Sequence, residues 1–436
     1  MQPRRPGASQ PPVQAPTAAA AGARRSRMRT AAAVALLLAA VLLLLTLASG
    51  QQLRIVGSSR ASTTSSLSDA GSVSSAAGSA GQLALVPRRI VLSRHELLYQ
   101  LPASMPPRGL VLILHKCGRS ASDHWPHSAS CPDCLGLPES VSKLKQALVR
   151  GYAVAAMSSA DRSTGGGGRC WKWADDAAAV AAAVRELPAR LRLPTGAPVY
   201  VGGASSGGSL ALRLPQLVKF SGVFGEVIAP AGMAGLLAKL KCKASAPAAC
   251  PFPPAAYVHM PADGGMAPKV AENLAALRAM KLPAAEIKVP PRALYPGYFA
   301  DRSHAIPRPL SFALLAKLKQ LRLVDSRGRI AVDLKDSAWN AFRSYLGSNL
   351  RKEIAKLPPG QRLETDSRVV EAHIWECISL AFGRHETVGE YLTAVLAWLE
   401  GGGRGDIAPL ARRLRVPFPA SLVVHARGGP RRFRRR

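Results

Sequence analysis

The sequence has few acidic residues: 26 Asp and Glu stand against 58 Lys and Arg, which gives the 436-residue chain a formal net charge of +32. So basic a chain suggests nucleic acid as a partner. However, no RNA-recognition, zinc-finger or helix-turn-helix pattern is present, and the basic segments 1–30 and 427–436 contain a single aromatic residue, Phe433. We therefore expect no nucleic-acid binding and interpret the basic ends as solvated tails.

Long apolar runs are also scarce. Only Ala31–Ala48 forms one, with 18 uncharged residues, and at about 1.5 Å per residue such a run just spans a bilayer core. The lack of a second run excludes a protein with several membrane spans. At the same time 48% of the residues are hydrophobic, which is enough for a substantial core and excludes a globally disordered chain.

The charges around this run predict its orientation. Four arginines precede it in the segment 24–29, whereas Arg54 alone follows it closely. The positive-inside tendency then keeps the N-terminus in the cytoplasm and predicts a signal anchor, with the rest of the chain lumenal or extracellular. The alternatives are a cleaved signal peptide, with small residues at 47–50 and a secreted product, and an organelle transit peptide. The run is longer than the usual signal core of ~7–15 residues, which favours the anchor.

Composition divides the chain into five predicted parts. They are a basic cytoplasmic tail at 1–30, the transmembrane anchor at 31–49, a flexible Ser/Ala/Gly-rich linker at 50–84, a folded domain at 85–405 and a basic C-terminal tail at 406–436.

The cysteine pattern favours disulfides over a metal site. Seven cysteines are compatible with disulfides in an oxidising compartment, and their odd number leaves at least one unpaired. Cys131-Pro-Asp-Cys134 is a lone CxxC without a second pair or metal-spaced histidines, so a local disulfide or inert thiols are favoured over zinc. We expect no metal and no cofactor.

Beyond the linker, short β-branched apolar runs alternate with longer segments of helical periodicity. The predicted strands are Arg89–Leu92, Leu110–Leu114, Tyr152–Met157, Val199–Gly202, Val223–Ile228, Ala256–Met260 and Ile287–Val289. The predicted helices between them are Ser140–Val149, Asp175–Leu187, Gly207–Val218 and Pro268–Met280. This alternation predicts one α/β domain with a mostly parallel sheet covered by helices on both faces.

Residues 311–350 interrupt this alternation. A helical segment, a charged turn that contains glycine and a second helical segment around Trp339–Leu346 follow one another. We predict an inserted helical cap or winged subdomain at about residues 305–350. Ordinary helices that extend the core are the alternative.

Residues 198–214 contain the most informative motif. A predicted strand ends at Gly202, the next five residues, Gly203 to Gly207, satisfy the pattern G-x-S-x-G, and helical periodicity begins at once. In this context the pattern forms a sharp strand-to-helix turn that exposes the serine hydroxyl. The helix N-terminus behind it favours negative charge on a substrate oxygen. Ser205 is therefore the predicted nucleophile, and a glycine-rich packing turn is the alternative.

With these features the sequence resembles the α/β-hydrolase superfamily and, within it, a little-characterised plant and algal group. The resemblance covers roughly residues 85–400. It depends on the segments LILHKCGRSASDHW (112–125), CPDCLGLPES (131–140), RGYAVAAMSS (150–159), GGASSGG (202–208), YVHMPAD (257–263), FADR (299–302) and RHETVGEYLTAVLAWL (384–399). It implies a serine hydrolase that needs no cofactor.

In this superfamily an acid and then a histidine follow the nucleophile along the chain. Asp263 lies in a loop after a predicted strand and is the predicted acid; an Asx turn or helix cap is its alternative role. Glu226, at the end of the preceding strand, is the reserve acid. His385 precedes the last amphipathic segment and is the predicted base, while His304, just past the last predicted strand, is the alternative base. For either histidine, a surface or capping role is the simpler interpretation.

The oxyanion hole is expected to combine two backbone amides. One belongs to Ser206, the residue after the nucleophile, and the other to the loop after the strand Leu110–Leu114. Cys117, through its backbone alone, is the predicted second donor. Lys116 replaces the glycine of the familiar His-Gly pattern in this loop, so the second donor stays open.

Taken together, these features predict a membrane-anchored serine hydrolase that cleaves a carboxylic ester or similar acyl bond in a small molecule, lipid or glycan. Ser205 would attack, His385 would transfer the proton and Asp263 would hold the imidazole. A non-catalytic, membrane-anchored binding or scaffold protein of α/β-hydrolase type is the alternative.

Overall fold

The structure is a computed structural model that describes residues 83–163, 168–358 and 367–425. The predicted cytoplasmic tail, the predicted anchor at 31–49 and nearly all of the linker lie outside these residues. Among the described residues, no helix is both long enough and apolar enough to cross a membrane.

One sheet with flanking helices forms the described part of the chain. Its strands are β1 (Arg88–Leu92), β2 (His95–Gln100), β3 (Leu110–Leu114), β4 (Ala153–Met157), β5 (Val199–Ala204), β6 (Gly222–Glu226), β7 (Ala255–His259) and β8 (Ala284–Lys288). The helices are α1 (Pro138–Val149), α2 (Trp173–Arg190), α3 (Ser206–Arg213), α4 (Met233–Lys239), α5 (Ala267–Ala279), α6 (Tyr298–Arg302), α7 (Arg308–Gln320), α8 (Asn340–Ala355), α9 (Ser367–Phe382), α10 (Leu392–Glu400) and α11 (Ala408–Leu414).

The strand order brings the ends of the central strands together. The order is β1-β2-β4-β3-β5-β6-β7-β8. β2 pairs antiparallel with β1 and with β4, and the other neighbours are parallel. The prediction of a mostly parallel sheet is therefore confirmed. The carboxyl ends of β3, β5, β6 and β7 meet at one edge, which is where open α/β sheets place their ligands.

Both faces of the sheet are buried. Successive side chains of a strand point to opposite faces, so neighbouring residues of one strand belong to different hydrophobic clusters. In β3, Val111 and Ile113 belong to the same hydrophobic cluster as Leu144 of α1. Leu112 belongs to a second cluster, which contains Val180 of α2. Helices therefore cover both faces, as predicted.

Strand β2 is absent from the sequence prediction. Its sequence, HELLYQ, begins and ends with polar residues, which hides the apolar pattern. Both polar ends are nevertheless buried and bonded: His95 Nε2 lies 3.0 Å from Asp176 Oδ1, and Gln100 Oε1 accepts from Trp125 Nε1 at 2.9 Å. Hydrogen bonds to partners distant in the sequence offset the cost of burying these two polar side chains. The local sequence does not reveal those partners.

The insertion between β8 and the last helices has a hydrophobic cluster of its own. This cluster includes Leu314 of α7, Phe342 of α8 and Ile374 of α9. The inserted segment therefore extends past the predicted limit of 350 to about residue 382, because α9 completes its cluster. An isolated antiparallel bridge between Val324 and Ile330 lies in the charged, glycine-containing turn of this segment.

The prediction of a C-terminal tail from residue 406 is wrong at its start. Residues 408–414 form α11, which packs against α10, and Ile407 and Ala411 are buried. Val424 belongs to the same hydrophobic cluster as Trp398 of α10, so residues near 425 still contact the domain, and Leu83 N donates to Val424 O at 2.6 Å. The arginines of α11 lie on an amphipathic helix.

All seven cysteines lie in the described part of the chain. Six form the disulfides Cys117–Cys170, Cys131–Cys134 and Cys242–Cys250, and Cys377 is unpaired and buried. Of the two states that the sequence favoured over zinc, the CxxC segment therefore forms the local disulfide.

Three buried histidines make the fold sensitive to acid. Burial lowers the pKa of His115 to about 4, of His124 to about 3 and of His373 to about 4. An unfolded histidine has a pKa of about 6.5, so the unfolded chain takes up these protons first. The stability that comes from keeping the rings neutral is present above pH ~6.5 and is lost as the pH falls toward ~4.

We expect the free energy of unfolding to fall between pH 7 and pH 4.5, and His373→Gln to reduce this fall by up to ~1.4 kcal/mol per pH unit. The glutamine amide can still donate to Leu135 O, which accepts from His373 Nε2 at 2.6 Å. Urea unfolding at several pH values measures both slopes. If the free energy of unfolding depended equally on pH in the two proteins, His373 would not be one of the groups that take up a proton on unfolding.

Candidate active site

Ser205 occupies the strained turn between β5 and α3. Its backbone has φ 52° and ψ −121°, which is a conformation that side chains with a Cβ rarely adopt. Ser205 N donates to Glu226 O, at the end of β6, at 3.0 Å. The turn is thus held by the neighbouring strand, and the side chain is partly exposed at the carboxyl edge of the sheet.

The two glycines of the G-x-S-x-G motif allow this turn to approach β3 closely. A Cβ at Gly203 would lie 2.3 Å from Leu114 O. A Cβ at Gly207 would lie 2.4 Å from His115 O and 2.5 Å from Leu114 O. Both clashes are with backbone atoms, so only glycine permits the observed contact.

The structure brings three of the predicted residues together. His385 Nε2 lies 3.0 Å from Ser205 Oγ, and His385 Nδ1 lies 2.7 Å from Asp263 Oδ2. The three side chains therefore form a continuous hydrogen-bonded row, and each distance is within the range for proton transfer or for orientation of a ring. The His385 side chain is 43% exposed, so the row opens to solvent.

Asp263 uses its two oxygens differently. Oδ1 accepts from the amides of Gly265 and Met266, both at 3.2 Å, just before α5 begins. Oδ2 bonds to His385. The turn-forming role that the sequence offered as an alternative is therefore present together with the contact to the histidine, and it fixes the carboxylate relative to the backbone.

Gly383 directs the chain from α9 to His385. It follows the last residue of α9 with φ +72°, and a Cβ there would lie 2.7 Å from Pro291 Cα. A left-handed glycine at this position ends a helix. The histidine then follows two residues later, in the loop that leads to α10.

The loop after β3 is held beside Ser206 by three kinds of contact. Cys117 is disulfide-bonded to Cys170, and its Sγ lies 3.3 Å from Ser206 Oγ. Trp171 donates from Nε1 to His115 O at 2.9 Å and from its backbone N to Ser206 Oγ at 3.3 Å. The disulfide removes the thiol of Cys117 from chemistry and leaves only its backbone, as the sequence prediction assumed.

His115 stabilises the same loop in its neutral form. Its Nδ1 donates to Lys116 O at 2.8 Å, and its Nε2 accepts from Ser159 N at 3.0 Å. Because burial lowers its pKa to about 4, the ring keeps a lone pair for Ser159 at neutral pH.

Two residues that the sequence proposed as alternatives have other partners. His304 Nε2 lies 3.1 Å from Lys145 Nζ, and its pKa is lowered by burial and by that ammonium group. Glu226 pairs with Lys143, and both side chains are 2% exposed. The histidine that contacts Ser205 is therefore His385 and not His304, and the acid that contacts His385 is Asp263 and not Glu226.

Sequence reasoning missed the ion pair between Lys116 and Glu386. It joins the loop after β3 to the residue that follows His385. In the sequence, Lys116 stands out only as an unusual replacement for glycine. The available signal was the charge of Lys116 in a loop that is expected to lie near Ser205.

Comparison with solved structures finds similar chains at low identity. An α/β serine hydrolase homologue from Coxiella burnetii is 14% identical, with 53% of this chain and 97% of that chain covered and a TM-score of 0.35. An α/β serine hydrolase without a lid from Xanthomonas campestris is 15% identical, with 48% and 87% covered and a TM-score of 0.30. Acyl-protein thioesterase 2 from Zea mays is 14% identical, with 44% and 88% covered and a TM-score of 0.31.

No protein-family model and no curated protein sequence matches the chain. Because the TM-scores above are low, we infer the function from the sheet order, the turn at Ser205 and the contacts of His385 rather than from these similarities.

Gly207→Ala should lower the free energy of unfolding by about 1–3 kcal/mol, because the new methyl group must displace backbone atoms of the loop after β3. Gly235→Ala is the matched control. It also lies in a helix, and a Cβ there meets nothing within 4 Å, so its stability should be unchanged or slightly higher. Urea unfolding of both variants checks the prediction, which an equal effect of the two substitutions would refute.

Proposed function

We propose that this chain, which has the α/β-hydrolase fold, is a serine hydrolase that cleaves carboxylic esters or related acyl bonds. The observation that supports this most directly is the position of His385, whose two ring nitrogens lie 3.0 Å from Ser205 Oγ and 2.7 Å from Asp263 Oδ2. The nucleophile, acid and base also follow one another along the chain in the order typical of this fold.

The first half of the reaction follows from these distances. Ser205 Oγ attacks the acyl carbon while His385 Nε2 takes the hydroxyl proton, and a tetrahedral intermediate forms. The imidazolium is stabilised by Asp263, whose carboxylate faces Nδ1. His385 then gives the proton to the leaving alkoxide, which departs and leaves an acyl-Ser205 ester.

The second half repeats the sequence with water. His385 removes a proton from a water molecule that attacks the acyl carbon, and the proton then returns to Ser205 Oγ as the carboxylic acid leaves. No redox step and no further reactant are needed.

Two backbone amides are proposed to stabilise the intermediate. Ser206 is the first residue of α3, and the first amides of a helix have no partner within it. The amide of Cys117 lies in the loop that the disulfide to Cys170 holds beside Ser206. Donors fixed before the reaction in this way cost no reorganisation when the oxyanion forms.

The alternative of a non-catalytic scaffold is less favoured. It would gain support if no imidazole approached Ser205, whereas His385 Nε2 lies 3.0 Å from Ser205 Oγ. A pure packing turn also gives no reason for the 2.7 Å contact between His385 and Asp263.

The proposal includes attachment to a membrane by residues 31–49, with the hydrolase domain on the lumenal or extracellular side. This part rests on the uncharged run Ala31–Ala48 and on the arginines that precede it. Three disulfides within the described domain add support, since such bonds persist in oxidising compartments.

Ser205→Ala should abolish covalent labelling by a fluorophosphonate and lower kcat for a short-chain ester by roughly 10⁴–10⁶-fold. Ser206→Ala is the matched control: it removes the neighbouring hydroxyl but keeps the amide that the mechanism uses, so labelling should persist. Gel-based labelling and hydrolysis of an aryl ester measure both effects. Full labelling of Ser205→Ala would show that the nucleophile is a different residue.

The full chain expressed in cells should stay in the membrane pellet after alkaline carbonate extraction, whereas a chain that starts at residue 83 should not.

Domain cysteines should resist thiol alkylation until a reductant is added, except for Cys377, which needs unfolding to become accessible because it is buried. Release of the full chain by carbonate, or free alkylation of the native cysteines, would contradict the proposed attachment and compartment.

A further inference from the structure

Glu226 forms hydrogen bonds to both sides of the candidate site. Its backbone O accepts from Ser205 N at 3.0 Å, and its side-chain Oε2 accepts from Val388 N at 3.2 Å. Val388 lies three residues after His385 in the same loop. One buried residue at the end of β6 therefore connects the nucleophile's backbone to the loop that carries the base.

Lys143 of α1 makes this arrangement possible. Its Nζ lies 3.0 Å and 2.9 Å from the two carboxylate oxygens of Glu226, and both side chains are 2% exposed. A buried carboxylate without a partner would cost several kcal/mol or take up a proton. Lys143 supplies that partner, and Oε2 of the paired carboxylate accepts from the Val388 amide.

The same face of α1 holds the next residue of the loop. Glu139 and Gln146 lie four residues before and three residues after Lys143, so all three share one helical face. Glu139 Oε2 accepts from Gly389 N at 2.7 Å, and Gln146 Nε2 donates to Gly389 O at 2.6 Å. The loop after His385 is therefore fixed through its backbone, residue by residue, on a buried polar face.

The ring of His385 itself has less support. Its side chain is 43% exposed, and its hydrogen bonds join it to Asp263 and Ser205. The position of the ring relative to Ser205 therefore depends on where the loop backbone is held. A displacement of about 1 Å can cost about 100-fold in rate.

We propose that Glu226, which forms an ion pair with Lys143, is a positioning residue that sets the separation of His385 and Ser205. Its side chain is 2% exposed, and it acts through the backbone amides of Ser205 and Val388. The inference rests on the proposed hydrolase function and adds to it a residue outside the Ser-His-Asp row.

Two double variants separate the hydrogen bond to Val388 from the buried charge. Lys143→Met with Glu226→Gln removes both charges but keeps a carbonyl oxygen that can accept the Val388 amide. Lys143→Met with Glu226→Leu removes both charges and the acceptor. Replacing a buried ion pair by neutral side chains of similar volume is often tolerated, and thermal unfolding monitors the fold of each protein.

The Leu variant should have a kcat about 10–100-fold below that of the Gln variant, with KM for an aryl ester nearly equal in the two proteins. If Glu226 had a purely structural role, the two double variants would differ in melting temperature but not in kcat per labelled Ser205. Equal kcat values in two folded double variants would overturn the proposal.

A single substitution tests the same point if the double variants unfold. Glu226→Asp keeps the charge pair but draws the acceptor back by one methylene, and it should also lower kcat at constant KM. Its matched control is Glu400→Asp, which shortens a carboxylate paired with Arg150 and Tyr152, away from the base loop. Wild-type kcat in a folded Glu226→Asp protein would overturn the proposal.

Hydrogen exchange keeps this test separate from the proposed function. The Val388 amide should exchange faster in the Leu double variant than in the Gln double variant, whether or not the protein has any esterase activity. If the wild-type protein neither labels nor hydrolyses esters, the proposed function fails while the exchange difference still reports the contact. Equal exchange at Val388 in the two variants would show that Glu226 does not hold the loop.

Discussion

The arrangement of the site depends on how closely the turn at Ser205 approaches the end of β3. Gly203 and Gly207 leave no space for a Cβ, because Leu114 O and His115 O lie within 2.5 Å of where it would be. Between these two glycines Ser205 has a φ of 52°, and it is partly exposed at the carboxyl edge of the sheet. The close approach also places the first amide of α3 beside the loop that contains Cys117. The positions of the proposed nucleophile and of its expected oxyanion donors therefore both depend on how this turn packs against the end of β3.

Part of this could be predicted from the sequence because the constraint is local. The motif from Gly203 to Gly207 lies within five residues, between a strand pattern and a helix pattern, and a sharp turn there requires glycine on both sides of the serine. Asp263 and His385 can be inferred from their order and their positions after predicted elements. The order alone does not separate His385 from His304, because that choice depends on where the insertion enters, which is a matter of tertiary packing.

Other features were hidden because their partners are distant in the sequence. β2 has buried polar ends that are satisfied by Asp176 and Trp125, so its pattern does not indicate a strand. A lysine in a helix usually faces solvent, yet Lys143 of α1 is buried against Glu226, 83 residues away. The true extent of the insertion follows from a shared hydrophobic cluster rather than from a change in composition. In each case long-range pairing outweighs the local preference.

The spacing of the three central side chains along the chain has a consequence for how the protein behaves as it folds. Asp263 and His385 are 122 residues apart, and Ser205 and His385 are 180 residues apart. Closing loops of this length costs entropy that no single hydrogen bond can offset. The row therefore assembles only when the sheet, α1 and the insertion are all in place. The proposed reactivity of Ser205 would therefore report cooperative folding of the whole domain.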